Sequence, residues 1–265
     1  MLMEDISWAE VLVLRYNMMI IDLTYPLGEG MLKYPSDPEF AAEAVSSQNE
    51  WVESGKDGFS GFKTNSGYMN LMMRNHHGTH IDAPAHKTPG GKTIDTFPLD
   101  RFVNRAVLID ISDVASRESK AVTVDDVSSR IDYNYLWDYK ISALIFYTGF
   151  CDLIAKHDGN LDLAEKIQFE RGFTYFSPDA AQYVLDTTTY INLVGIDSFS
   201  FDPSGSKSES HKIFLGKKIL LLEALVNLDM LRKAAGGKPF YLVSLPLLIK
   251  GADAAPCRAY AEIMN

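Results

Sequence analysis

"NHHGTHIDAPAH", residues 75–86, carries four of the chain's six histidines, with an aspartate, a glycine and a proline among them. Gly78 and Pro84 argue against a continuous helix here. Glycine is a poor helix former, and proline lacks the N–H and clashes with the preceding turn. The expected alternative is an extended segment, in which side chains alternate between two faces. His76, Gly78, His80, Asp82, Pro84 and His86 then share one face, and His77, Thr79, Ile81, Ala83 and Ala85 the other. The first face holds three imidazoles and a carboxylate, with Gly78 leaving room for an ion or substrate between His76 and His80. Such clusters read as metal or catalytic sites. Nitrogen and oxygen donors of this kind suit a borderline divalent ion, Zn²⁺ first and Mn²⁺ as the alternative. His77 falls on the supporting face.

Working outward, apolar runs on both sides read as strands: 68–73, 106–112, 143–150, 191–197, 218–225 and 240–249, with a further strand beginning in "MMIIDLTYPL" (18–27). Helices are expected at 123–131, with Thr123 as N-cap and acids in the first turn, and at 177–188, with Ser177 as N-cap and Pro178 at the first helical position. Residues 5–17 read as a short helix. Ser7 and Glu10 have capping-box spacing, and Trp8, Val11, Leu12 and Leu14 form a rough stripe. Residues 1–18 are expected to be an N-terminal extension. The Gly/Ser-rich run 199–216 reads as a surface loop. Strands mixed with a few helices, without internal repeats, suggest a single domain of α/β or α+β type over 1–265.

Composition narrows the function classes. An apolar fraction of 46% and a charged fraction of 23% are those of an ordinary globular protein. Lys plus Arg is 25 against Asp plus Glu at 35, a net charge of −10 with no basic run. That excludes the electrostatic footprint of a nucleic-acid or anionic-membrane binder. The two cysteines, Cys151 and Cys257, form neither a disulfide framework nor a C-x-x-C knuckle. With acids near the N-terminus instead of a signal peptide, and no long apolar span, the expectation is a soluble cytoplasmic protein.

Other motifs carry less. "GGKT" (90–93) resembles the end of a phosphate-binding loop, but that loop needs a glycine where this chain has His86. His211 is the sole histidine after residue 157, and Glu223 is an acid inside the apolar run "KILLLEAL". A carboxylate is costly to bury unless paired or metal-bound. Read singly, His211 is equally a loop histidine and Glu223 an exposed acid at a strand end.

"HHGTHIDAP" followed by His86 matches the pattern H-x-G-T-H-x-D-x-P-x-H, which resembles the signature of the cyclase family of metal-dependent hydrolases. That family includes bacterial-type kynurenine formamidase (arylformamidase) and isatin hydrolase. "IDLTYPL" (21–27), "YPSDP" (34–38), "GKTIDTFPLDRF" (91–102), "VGIDSFSFD" (194–202), "HKIFLGKKILLLEALVNL" (211–228) and "PLLIKGADAAPCRAYA" (246–261) resemble its other blocks in order, so the resemblance covers about residues 19–262. It implies a swivelling β/β/α domain with a central β-barrel-like core, in a homodimer or homotetramer. It implies that His76, His80 and Asp82 bind a first divalent metal, that Asp82 bridges to a second completed by His211 and Glu223, and that His86 is the catalytic histidine. The implied reaction is hydrolysis of an amide C–N bond in a small aryl amide, of N-formylkynurenine type, by metal-activated water. The alternatives are a cyclic amide or lactone hydrolase of isatin-hydrolase type and a non-catalytic metal- or ligand-binding protein. Lys87 stands where the family often has an aromatic residue, and Tyr34 where bacterial kynurenine formamidases usually have tryptophan. Both differences touch the substrate pocket.

Overall fold

In the computed structural model the described residues are 11–14, 18–31, 33–34, 37–48, 65–150, 152 and 172–264. The strands, in chain order, are β1 (Val11–Leu14), β2 (Met18–Asp22), β3 (Ala41–Gln48), β4 (Asn65–Met72), β5 (His80–Asp82), β6 (Val103–Asp110), β7 (Ala121–Val122), β8 (Ala143–Tyr147), β9 (Tyr175–Phe176), β10 (Leu193–Ile196), β11 (Leu220–Glu223), β12 (Phe240–Pro246) and β13 (Ala254–Met264). The helices are α1 (Val124–Ser128), α2 (Tyr133–Asp138), α3 (Pro178–Thr187), α4 (Glu209–Gly216) and α5 (Leu228–Ala235).

The main sheet runs β1-β2-β13-β12-β6-β8-β10-β11-β5, and a further pairing of β5 with β13 closes seven of these strands into a barrel. β13 makes closure possible by its length. On one edge it pairs with β12, while on the other its first residues pair with β5 and its last with β2. β6, β8, β10 and β11 are parallel neighbours, so each needs a crossover connection, and helices supply part of these.

Strand alternation decides what faces where. Ala143, Ile145, Leu193, Leu220, Leu222, Ile81 and Leu242 belong to one buried cluster, inside the barrel. Their neighbours Leu144, Phe146, Val194, Ile196 and Leu221 belong to a second, outside it, packed under Val127 of α1, Ala180, Ala181 and Val184 of α3, and Phe214 and Leu215 of α4. Strands buried on both faces read as continuous apolar runs, which is why the central ones are conspicuous in the sequence. A fully buried Leu or Ile contributes about 1.5–3 kcal/mol.

The expected mixed α/β fold with a barrel core is the fold found. α1 starts at Thr123 with a complete capping box, and α3 starts at Ser177 with Pro178 in its first turn. Three expectations need correction. Val11–Leu14 is a strand paired with β2, not helix; the rest of 5–17 lies outside the described residues. Edge pairing, which suits Val11 and Val13, overrides a weak helical stripe. The run 199–216 ends in a helix, α4, and buries Phe199, Phe201, Asp202, Ser210 and His211. Finally, 75–86 is extended only at His80–Asp82: a turn precedes it, and Pro84–His86 is a short 3₁₀ turn. Among the described residues no helix is long and apolar enough to cross a membrane.

Candidate active site

The ladder between β5 and β11 sets Glu223 directly opposite His80, Leu222 opposite Ile81 and Leu221 opposite Asp82. Ile81 and Leu222 point into the barrel, so His80, Asp82 and Glu223 point together to its outer side. There all three are nearly inaccessible. His80 Nε2 lies 3.4 Å from Asp82 Oδ1 and 3.4 Å from Glu223 Oε2.

His76 arrives from the turn before β5, with Nδ1 3.0 Å from Asp82 Oδ1. Gly78 shapes that turn. Its φ is +65°, and a Cβ there would meet Leu27 Cδ2 at 2.8 Å and the Tyr25 carbonyl oxygen at 3.1 Å. Glycine is therefore required by backbone conformation and packing, which corrects the reading that its missing side chain makes room between His76 and His80. Thr79 anchors the same turn, its hydroxyl donating to Ala224 O at 2.6 Å and accepting from Tyr25 N–H at 2.7 Å. His77 is buried apart from the cluster, its ring nitrogens without hydrogen-bond partners among the described residues.

His211 comes from α4. Its Nε2 lies 3.2 Å from Glu223 Oε1 and 3.5 Å from Asp82 Oδ2. Asp202 sets this placement by accepting from the backbone N–H groups of Ser210 and His211, both at 2.9 Å, and from His211 Nδ1. It thus satisfies two of the unpaired N–H groups at the start of α4 and turns the imidazole with one carboxylate. His86 stands on the 3₁₀ turn with Nε2 3.7 Å from Asp82 Oδ2. All six residues singled out in the sequence are thus brought together.

Two residues were missed. Asp202 does its work through His211. Asp253, on the approach to β13, reaches His86 Nδ1 at 2.9 Å and His76 Nε2 at 3.2 Å. Both lie in blocks that resemble the family's, yet neither forms a local pattern with a histidine, so spacing could not single them out.

The electrostatics are those of a site that demands positive charge. Burial opposes ionisation of Asp82, but His76, His86 and His211 hold its carboxyl well below the ordinary range. Glu223 is lowered in the same way, chiefly by His211. Burial works against charge on His80, yet Asp82 and Glu223 raise it to about 10. His76 is raised to about 9 by Asp82 and Asp253 against its burial. His86 is lowered, with burial outweighing Asp82.

The donors fit a divalent cation. Both oxygens of Asp82 and Nε2 of His80 are buried without hydrogen-bond partners among the described residues. Orphaned polar atoms of this kind are costly unless something else satisfies them. Ligand atoms of His76, His80 and Asp82, and of Asp82, His86 and His211, gather within 4.8 Å of one another. His80 Nδ1 faces Gly78 O at 2.9 Å, so its Nε2 is the nitrogen free to ligate. The cluster forms the floor of a cleft of about 480 Å³, whose walls include Tyr34, Arg74, Lys87 and Phe199.

Comparison with known proteins identifies relatives of nearly the whole chain. The Cyclase family model, described as "Putative cyclase", matches residues 21–203. The kynurenine formamidase of Salinibacter ruber is 29% identical over 245 residues, covering 91% of this chain and 96% of the relative. The structure of a predicted metal-dependent hydrolase from Bacillus stearothermophilus superposes with a TM-score of 0.63 at 26% identity, over 92% of this chain and 98% of that one. Isatin hydrolase A from Labrenzia aggregata shares the fold, with a TM-score of 0.71 at 21% identity over 94% and 95% of the two chains. The matched region takes in the signature and most of the barrel strands, so the chain belongs to the cyclase family.

Proposed function

We propose that the chain is a metal-dependent hydrolase that cleaves an amide C–N bond in a small aryl amide, of the N-formylkynurenine type. The observation that carries this reading is the buried Asp82 carboxylate, with no hydrogen-bond partner among the described residues, surrounded by His76, His80, His86 and His211, which line an open cleft. In this reading His76, His80 and Asp82 hold a first divalent cation, and Asp82 is shared with a second held by His211 and Glu223. Zn²⁺ is the assignment and Mn²⁺ the alternative, since affinity order alone does not choose between them. When bound, such a cation acidifies water and polarises a carbonyl oxygen.

The chain's own residues do the rest. His86 accepts a proton from the attacking water at Nε2 as the C–O bond forms. It returns that proton to the leaving nitrogen as the C–N bond breaks, giving formate and the amine. An amine anion is a poor leaving group, so a proton donor is needed. The cleft wall holds the aryl group. Tyr34 and Lys87 are both in that wall; Tyr34 stands where the resemblance leads one to expect tryptophan in kynurenine formamidases, and Lys87 where the family often has an aromatic residue. This keeps a second reading in view, a cyclic amide or lactone hydrolase with the same metal site. We place the protein in the cytoplasm, as one domain over 1–265 in a homodimer or homotetramer.

The test is elemental analysis of the purified protein, followed by assays on N-formylkynurenine, other N-formyl arylamines and isatin with added Zn²⁺ or Mn²⁺. Turnover of the formamides supports the first reading and turnover of isatin the second. Metal bound without turnover of any substrate overturns both.

A further inference from the structure

We infer that Asp253 is a positioning residue: through one carboxylate oxygen it fixes which ring nitrogen His76 and His86 each turn toward Asp82. The inference rests on the hydrolase reading above. Asp253 Oδ2 lies 2.9 Å from His86 Nδ1 and 3.2 Å from His76 Nε2. An ionised carboxylate only accepts, so each of those nitrogens carries a hydrogen. In the neutral, metal-ready form of each ring the other nitrogen is then the one with the lone pair, and in both rings that nitrogen faces Asp82: His76 Nδ1 at 3.0 Å from Oδ1, His86 Nε2 at 3.7 Å from Oδ2.

Asp253 is itself held by two further hydrogen bonds. Its Oδ1 accepts from Asn75 Nδ2 at 2.7 Å, and the same amide group donates to Ala254 O at 3.2 Å. Its backbone carbonyl accepts from Ala83 N–H at 2.8 Å, one residue before the turn that carries His86. His80 and His211 are oriented by separate acceptors, Gly78 O and Asp202. Asp253 differs in tying one imidazole of the donor set to the imidazole proposed to move the proton. Rotation of either ring would break a hydrogen bond to the same oxygen.

Asn is the informative replacement. It has the shape of Asp, but one of its two ends is a donor. Asn75 presents a donor to one end and the two imidazoles present donors to the other, so an amide at 253 leaves one side mismatched.

The test compares wild type with Asp253→Asn, each saturated with Zn²⁺. Bound zinc per chain is measured, histidine tautomers are read from long-range ¹H–¹⁵N spectra of protein labelled in its histidines, and kcat and KM are taken on the best amide substrate. The expected result is unchanged zinc per chain and loss of the Nδ1–H signature of His86. With it, kcat falls ~10–100-fold, the range for outer-shell partners of metal sites, while KM stays within about twofold. Asn75→Ala frees Oδ1 without touching either ring, and should lower kcat in the same direction by a smaller factor. Loss of one zinc per chain in Asp253→Asn would make Asp253 a ligand and overturn the inference. Unchanged tautomers with unchanged kcat would overturn it as well. If the wild type hydrolyses none of the amides, the hydrolase reading fails while the tautomer comparison still decides the role of Asp253.

Discussion

Glu223 faces His80 directly across the β5–β11 ladder, its Oε2 3.4 Å from the imidazole Nε2. Two residues 143 positions apart in sequence (80 and 223) thus become the two sides of one site through strand register alone. A slip of one residue would turn Glu223 into the barrel and Leu222 onto the donor cluster, so register and chemistry are fixed by the same pairing.

His80→Ala removes a donor from the centre of that pairing. The carboxylates of Asp82 and Glu223 stay buried and lose a counter-charge. The expected outcome is loss of bound divalent metal, read by elemental analysis after dialysis, with a lower unfolding temperature. Full metal content would rule His80 out as a ligand.

How far the site could be read from the sequence follows from the range of each signal. His76, His80, Asp82 and His86 lie within one signature, and the barrel strands announce themselves as apolar runs buried on both faces. β13 was hidden because its buried positions Ala254, Ala255, Ala259 and Ala261 are small, so "ADAAPCRAYAEIM" shows no run of large apolar residues. α4 was hidden by the Gly/Ser-rich segment before it, and by a cap supplied from Asp202 instead of its own N-cap residue. His211 and Glu223 acquired meaning only through the family resemblance. Asp202 and Asp253 needed the folded chain, since they act on histidines distant in sequence or on another element.

Asp202→Asn tests whether the start of α4 aims His211. The variant keeps a single acceptor oxygen, so it can serve Ser210 N–H or the His211 N–H and Nδ1 side but not both, and it loses the charge that faces them. Metal affinity should weaken by ~10–100-fold, as for outer-shell partners elsewhere. Competition with a chromophoric chelator measures it. An unchanged affinity would confine Asp202 to capping the helix.

His86→Ala separates proton transfer from metal binding. General acid–base groups contribute ~10²–10⁴-fold, so kcat should fall by that factor while metal content is retained. A variant with full activity would remove His86 from the mechanism.

Gly91→Ala probes the platform under His86. A Cβ at Gly91 would lie 2.6 Å from the Pro84 carbonyl carbon and 2.8 Å from Ala85 N, both backbone atoms of the turn that presents the imidazole. That turn cannot yield as a flexible side chain would. A stability loss of about 1–3 kcal/mol is expected from overpacking, with reduced kcat. Gly28→Ala, which meets nothing within 4 Å, serves as the control. Equal stability and activity in the two variants would show that the turn is not held against Gly91.

Asp126 carries a pH-dependent part of the fold's stability, well away from the metal donors. Burial would raise its carboxyl, but Arg117, with NH2 2.7 Å from Oδ1, and the backbone N–H of Thr123 at 2.9 Å hold it well below the ordinary range. A carboxyl lowered in the folded state stabilises above its unfolded value of ~3.9, and the contribution fades as pH falls through that value toward the folded one. Asp126→Asn should therefore be less stable than the wild type at neutral pH, and the gap should narrow as pH falls below ~4. Urea unfolding of both proteins at pH 6, 4 and 3 measures it. Protonation of the metal donors affects both proteins alike and cancels in the difference. A gap that stays constant with pH would mean that Asp126 contributes as the neutral cap of α1 rather than as the charge partner of Arg117.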